Sequence, residues 1–426
     1  MRQLGLAGHS LPDGWQSIPA GYLFRREKRT NFVEEPLLSV YRDHGVVLKN
    51  SRDDNFNKAS EDLSKYQLVE ANDLVINKMK AWQGSVGISS HRGIVSPAYF
   101  VASPTRQFSR RYVHYLLRCS DYLVEYQTRS GGIRVNQWDL DWDDFRRIPV
   151  TLPSTEKQER IANFLDEKTT RIDALIAEKE RLVEKLDELH RSAIWSLVTK
   201  GGQADVEFKK VSSEWIDEVP SHWQVKKIKW MTSVLRGASP RPIDDPKYFD
   251  DVGEYAWVRI ADVSASSDGY LKSTDQQLSQ LGAASSVKRE PGDLFLSIAG
   301  TVGKPCIAEI KCCIHDGFVW FPNLGHGLLR DWFFNIFLSG FAYAGLGKMG
   351  TQLNLNTETV GNIEVPLPPD AEMLELLKQI QEKKLANRTL QTHAIEHIAR
   401  LREYRSSLIS AAVTGQLELD ALEVGA

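Results

Sequence analysis

Apolar and polar positions alternate between two regimes along the chain, and each regime occurs twice. In residues 1–152 and 201–367, short apolar runs end at Gly, Asp or Pro, as in Asp73–Asn77, Gly84–Ile88, Glu254–Ile260 and Asp293–Ile298. Such β-branched and aromatic runs between turn residues predict strands. Tyr112–Arg118 and Trp332–Leu338 read as helical patches among them, so both regions are expected to be mixed α/β domains. Residues 153–200 and 368–426 follow a helical period instead. Thr155-Glu-Lys-Gln158 after Pro153 has a capping-box pattern and predicts a short amphipathic helix through Leu165. Thr170 then caps a longer helix of about 27 residues, spanning roughly 40 Å. Ile172, Leu175, Leu182, Leu186, Leu189 and Ala193 fall at its heptad a and d positions, with Lys179 interrupting.

The two halves are copies. Ile148-Pro-Val-Thr-Leu-Pro153 matches Ile363-Glu-Val-Pro-Leu-Pro368 at an offset of 215, and Val198-Thr199 maps onto Val413-Thr414 without a gap. Leu11-Pro-Asp-Gly-Trp-Gln16 answers Val219-Pro-Ser-His-Trp-Gln224, and Asn72-Asp-Leu74 answers Gly292-Asp-Leu294. Ordered anchors at nearly constant offset indicate duplication. Shifting the heptad stripe by 215 gives Asn387, Leu390, His397, Leu401, Tyr404 and Leu408, with Ala394 under Lys179. Polar Asn387 and His397 in such a seam weaken each helix as a free oligomer and help fix register. The preferred architecture is α+β: two mixed domains, each followed by a long helix. The two helices pack as an antiparallel coiled coil about a pseudo-twofold. The plainer alternative packs each helix on its own domain.

Composition narrows the class. The 426 residues are 42% apolar and 26% charged, with formal net charge −3, which excludes a disordered chain. No apolar run approaches the ~20 residues of a membrane helix. The N-terminal stretch lacks a signal-peptide pattern and four cysteines make no disulfide framework, so a cytoplasmic protein is expected. Residues 1–150 carry 21 Lys+Arg against 17 Asp+Glu, and residues 201–365 carry 16 against 20. Neither is basic enough to announce nucleic acid by charge alone.

Catalytic patterns are weak. Gly345–Gly350 satisfies G-x-G-x-x-G but follows an aromatic helix rather than a strand. Gly300-Thr-Val-Gly-Lys304 has Pro305 where a phosphate loop needs Ser or Thr, and reads as a turn. Ser96-Pro-Ala-Tyr99 is faintly similar to an adenine methyltransferase tetrapeptide, without a cofactor loop upstream. Cys306, Cys312, Cys313 and His315 lack paired C-x₂-C spacing and read as buried thiols rather than a zinc site. No catalytic residue and no metal ligand is assigned.

A duplicated chain of two divergent domains, each followed by a spacer helix, resembles the specificity subunit of type I restriction–modification enzymes. The resemblance is carried by the junctions Ile148–Asp166 and Ile363–Pro369, by Ile172–Ile176, and by the tail Arg191–Gly201 with its echo Tyr404–Gly415. One departure is Asp370-Ala-Glu-Met373, which lacks the Gln158-Glu159 of the first copy. The resemblance implies that each globular domain is a target recognition domain for half of a bipartite, asymmetric DNA sequence. The helices then set the gap and dock two methyltransferase subunits, and through them restriction (translocase) subunits. It also implies no cofactor on this chain, with S-adenosylmethionine, ATP and Mg on partner subunits only.

Double-stranded DNA is read by Arg, Lys, Asn and Gln at base edges and positioned through its phosphates. First-domain candidates are Arg25, Arg26, Lys28 and Arg29, then Lys78 and Lys80 beside Trp82, and the loop Arg129–Arg134 with Gln137. In the second domain they are Arg236, Arg241, Lys304, Lys348 and Gln352. The loops at Arg129–Arg134 and Lys348–Gln352 lead, because they match across the repeat. A solvated surface charge is the bland alternative for each. Two rival classes remain: a protein adaptor that does not bind DNA, and an enzyme whose site matches no known pattern.

Overall fold

The computed structural model describes residues 6, 10–42, 44–51, 59–132, 138–202, 205–266, 268–325, 327–343 and 355–417. They form two compact units: Met1–Glu180 with Ile395–Ala426, and Arg181–Ala394. Each is an α+β unit containing part of both long helices.

The repeat anchors are two halves of one clasp. Strand Gln16–Pro19 pairs antiparallel with Pro149–Leu152, placing Gln16 opposite Leu152. In the second unit Gln224–Lys227 pairs with Glu364–Leu367, placing Gln224 opposite Leu367. The Pro–Trp segment and the junction strand therefore meet in the same register in both copies. Behind the clasp, Trp15 meets Tyr112 edge-on with centroids 6.4 Å apart, and Trp223 meets Trp332 at 6.1 Å. The Trp332 indole donates to the Pro366 carbonyl at 2.7 Å. The Tyr112 hydroxyl lies 3.0 Å from the equivalent Thr151 carbonyl and 2.9 Å from that of Val413. Removing it in Tyr112→Phe leaves a buried acceptor without its donor, and is expected to lower stability by about 1–3 kcal/mol, read as a fall in the urea midpoint.

The central sheets match as well. In the first unit the antiparallel order is Phe24–Glu27, Tyr99–Pro104, Leu74–Asn77, Val86–Ile88. In the second it is Leu235–Arg236, Phe318–Trp320, Leu294–Ser297, Pro305–Ala308, with Tyr270–Leu271 added in parallel. Asn72-Asp-Leu and Gly292-Asp-Leu are the turns entering the matching central strands. Both turns need positive φ, 74° at Asn72 and 98° at Gly292, where Asn and Gly are tolerated best. The Asp73 carboxylate accepts from the Glu70 amide at 2.8 Å, and Asp293 from Glu290 at 3.0 Å. These anchors are structural.

The helical reading needs two corrections. Thr155–Lys200 is one continuous 46-residue helix without a break at Thr170, and the second runs over Asp370–Val413, 44 residues. At 1.5 Å per residue they are about 69 and 66 Å long, well beyond the expected 40 Å. Ser154, not Thr155, caps the first: its Oγ accepts from the Lys157 amide at 3.3 Å. Gln158 instead donates to the Pro153 carbonyl at 2.9 Å and accepts from the Ser109 amide at 2.8 Å. At the departure in the second copy, Met373 takes the place of Gln158 and lies in the apolar core.

The second correction concerns the seam. Ile172 is buried and Leu186 partly so, but Leu175, Leu182 and Leu189 stay 46%, 46% and 54% exposed. The a positions hold and the d positions are off by one: Ile176, Val183, His190 and Leu197 turn inward instead. The same shift recurs in the copy, where Ala394, Ile398 and Leu408 are buried, while Leu390, His397 and Tyr404 are exposed. In the first unit Ile172 and Ile176 share a core with Ile398, Leu408 and Ile409. In the second, Ile194 and Leu197 share one with Met373, Leu376 and Ile380. Arg402 pairs with Glu180 at 2.7 Å and Arg405 with Asp173 at 2.8 Å, so the chains run antiparallel. These exposed pairs set register more than strength. His190 lies in the seam, its pKa lowered by burial with the Lys384 charge beside it.

Candidate nucleic-acid interface

The strand match makes two loops of the candidate interface equivalent. Residues 78–85 leave strand Leu74–Asn77 just as residues 298–304 leave Leu294–Ser297. The Asn77 amide donates to the Ser85 carbonyl at 2.9 Å, and the Ser297 amide to the Lys304 carbonyl at 3.1 Å. Gly84 and Gly303 end the loops at φ 94° and 82°. A Cβ would lie 2.8 Å from Leu123 in the first and 2.3 Å from the Tyr343 ring in the second. Only glycine suits both the backbone and the space. Lys304 therefore occupies the place of Ser85, while Lys78 and Lys80 lie earlier in the same loop.

Against the first loop packs the segment from helix Ser120–Arg129 onward. The Leu140 amide donates to the Lys78 carbonyl at 3.0 Å, and Trp82 and Trp138 have ring centroids 5.2 Å apart. Lys78 lies 3.8 Å from Asp139, Lys80 is exposed, and Arg129 pairs with Glu125 at 2.8 Å. The structure thus gathers Lys78, Lys80 and Arg129 in one patch with Trp82. Arg134 and Gln137 lie outside the described residues, as do Lys348, Gln352 and the Gly345–Gly350 stretch.

Arg25 and Arg26 lie on the edge strand of the first sheet. Arg25 pairs with Glu27 at 3.1 Å, and the Arg26 guanidinium sits 4.5 Å over the Phe100 ring. Arg29 is held by Asp73, a structural role, and Lys28 is exposed. Glu27 opposes Val101 as Leu235 opposes Trp320. That register puts Arg236 at the position of Lys28. Arg236 donates to the Asp316 carbonyl at 2.5 Å and Arg241 to the Asp316 carboxylate at 2.9 Å. Ser239 also donates to that carboxylate, at 3.0 Å, and these partners hold its pKa below the ordinary range despite burial. The Ile298 amide donates to the Gly317 carbonyl at 2.8 Å, tying the Lys304 loop to the Asp316 turn. The Lys304 ammonium reaches the Ser264 carbonyl at 2.9 Å, and burial lowers its pKa.

Most described candidate cations are therefore engaged inside the protein. Cys306, Cys312 and Cys313 are buried on strands, and burial pushes the Cys306 thiol up to about 12. Among the described residues no His, Cys, Asp and Glu cluster suits a metal, and no helix is long and apolar enough to cross a membrane. Sequence reasoning missed two exposed aromatics, Tyr22 at 64% and Trp230 at 67%. They share one position in the short turn after each Pro–Trp strand, a signal visible only once the copies are aligned.

No protein-family model matches the chain. The type I restriction enzyme MjaVIII specificity subunit of Methanocaldococcus jannaschii is 24% identical over 399 residues, 88% of this chain and 87% of that one. The type I restriction enzyme StySPI specificity subunit of Salmonella potsdam is 22% identical over 205 residues, 44% of this chain and 43% of that one. Among solved structures, a chain described under "complex assembly and conformational transition of the type I R-M system" shares the fold. It has a TM-score of 0.69 at 16% identity, covering 96% of this chain and 100% of that one. Over most of its length, this chain is similar to the specificity subunits of type I restriction enzymes, and it has the fold of a chain from such a system.

Proposed function

We propose that this chain is the DNA sequence-recognition subunit of a type I restriction–modification complex, reading a bipartite asymmetric target with one unit per half-site. One observation carries the reading: the two units repeat the same scaffold in register but present different residues on equivalent loops. Lys78, Lys80 and Trp82 face solvent from a loop whose counterpart offers Thr301 and Lys304. Unlike residues on like scaffolds suit unlike half-sites, whereas a homodimer favours a palindrome.

The long helices serve as spacer and dock. Leu175, Leu182 and Leu189 form an exposed apolar stripe, and Leu390 and Tyr404 repeat it on the second helix. Exposed apolar residues repeated in this way suit contacts with two methyltransferase subunits, one per repeat, and Tyr22 and Trp230 add one exposed aromatic to each unit. Methylation chemistry, with its cofactors, and ATP-dependent restriction then belong to those partners and the subunits they recruit.

The internal ion pairs of Arg25, Lys78, Arg129 and Arg241 must loosen when phosphate replaces their carboxylates, so the isolated chain is expected to bind DNA weakly. Tight binding then needs the partner surface. In the assembled complex, replacing Lys78 and Lys80 with alanine is expected to weaken binding to all sequences alike and to reduce the salt slope by about 2. Salt titration of a filter-binding assay checks both. Tight, salt-insensitive binding by the isolated chain contradicts this account.

A further inference from the structure

The second unit sets a carboxylate among its candidate cations. Asp316 sits in the turn that enters strand Phe318–Trp320, with its side chain 39% exposed. Its Oδ1 accepts from the Ser239 hydroxyl at 3.0 Å and its Oδ2 from Arg241 at 2.9 Å. Backbone contacts fix the surroundings. The Gly237 amide donates to the Phe318 carbonyl at 2.9 Å, and the Ala238 amide to the Ile314 carbonyl at 3.1 Å. A Cβ on Gly237 would lie 2.2 Å from the His315 carbonyl, so the loop carrying Ser239 and Arg241 touches the turn. Burial favours the neutral acid, but the Ser239 hydroxyl and then the Arg241 charge outweigh it and hold the pKa below the ordinary carboxylate value. At neutral pH Asp316 therefore accepts hydrogen bonds and donates none.

The copies differ at this point. With Leu74 at the place of Leu294, Val75 opposes Val101 as Phe295 opposes Trp320. That register sets Ser96-Pro97-Ala98-Tyr99 against His315-Asp316-Gly317-Phe318. The two turns are alike. The Tyr99 amide donates to the Ser96 carbonyl at 3.0 Å, and the Phe318 amide to the His315 carbonyl at 3.1 Å. The Ala98 amide reaches the Ser96 hydroxyl at 3.4 Å, and the Gly317 amide reaches His315 Nδ1 at 2.6 Å. At the second position of this shared turn one copy has Pro97, with no polar side chain, and the other has Asp316.

We propose that Asp316 is a specificity determinant of the second unit, accepting from an exocyclic amino group of cytosine or adenine in one half-site. This rests on the DNA-reading function proposed above. When a phosphate takes Arg241, Asp316 Oδ2 loses its donor while Ser239 still holds Oδ1. A fixed, ionised acceptor beside a base edge is satisfied only by an N–H. In the major groove cytosine N4 and adenine N6 supply one, whereas guanine O6 and thymine O4 are themselves acceptors. Moving Arg241 from carboxylate to phosphate is therefore compensated on amino-bearing bases, and leaves an unpaired carboxylate on the others. The first unit, with Pro97, imposes no such requirement through this turn.

The test titrates the chain, assembled with its methyltransferase subunits, with duplexes bearing the methylated motif of that complex. Each cytosine or adenine of both half-sites, on either strand, is replaced in turn by pyrimidin-2-one or purine, which lack the amino group. At one position of one half-site the replacement is expected to weaken the unmodified complex at least about tenfold, and to leave Asp316→Ala within about twofold. Discrimination at the other half-site stays as it was. Asp316→Asn stands in should the alanine variant fail to fold. Its neutral amide oxygen is the weaker acceptor, so the dependence on the amino group falls severalfold. An amino dependence that survives intact in these variants overturns the proposal. So does a variant that changes binding to every duplex alike, up or down, with the motif unaltered; the carboxylate then only restrains Arg241. Loss of discrimination in both half-sites overturns it as well. If the unmodified complex binds motif and shuffled duplexes equally, the DNA-reading function itself falls and this proposal falls with it.

Discussion

Replacing Trp332 with alanine is expected to destabilise the protein by about 3–5 kcal/mol. The indole is fully buried, meets Trp223 edge-on, and donates its only hydrogen bond to the Pro366 carbonyl. Truncation leaves a large void behind the clasp and a buried acceptor without its donor, two costs that add. Trp230→Ala provides the contrast. That ring is 67% exposed, and its loss is expected to cost no more than about 0.5 kcal/mol. Urea unfolding of both variants checks the pair. Similar midpoints would show that the clasp is not where the second unit gains its stability.

Shortening both long helices by one turn is expected to change the gap between half-sites without altering either half-site. Deleting Glu178–Arg181 and its repeat counterpart His393–Glu396 removes four residues from each helix, Glu180 with its Arg402 pair among them. The helix ends shift by about 6 Å, close to two base pairs of B-DNA. Methylation mapping of the assembled complex reads gap and half-sites together. Altered half-sites with an unchanged gap would remove the helices from the role of spacer.

The sequence carried the organisation well. The Pro–Trp and Ile–Pro–Val motifs anchor the repeat because both form the clasp, where a pleated register and a buried tryptophan tolerate little change. The helices were legible as helices, but their inward face was not. Leu175, Leu182 and Leu189 recur every seven residues, as do Ile176 and Val183 beside them, so two adjacent stripes satisfy the same heptad. Which one turns inward depends on the phase of the facing helix, a tertiary fact without local signature. The break expected at Thr170 failed for another tertiary reason: Thr169 is buried beside the Tyr115 hydroxyl, 3.2 Å away, and its own hydroxyl donates to the Leu165 carbonyl at 2.7 Å within the helix.

The candidate interface was legible in part. Lys78 and Lys80 stood out beside Trp82, and the structure joins them to Arg129. The equivalence of their loop with that of Lys304 emerged only from strand register, because the two loops share little beyond the closing glycine. Ion pairing was hidden too: Asp316, which holds Arg236 and Arg241, is 75 residues or more away in sequence.

Adenine methylation across the genome of the native host, compared with and without this gene, tests the central claim most directly. Loss of one bipartite motif with two unlike half-sites is the predicted result, and it names both half-sites at once. A methylation pattern that does not change, in cells where the partner methyltransferase is present and active, would contradict the account and leave a two-domain protein adaptor as the better reading.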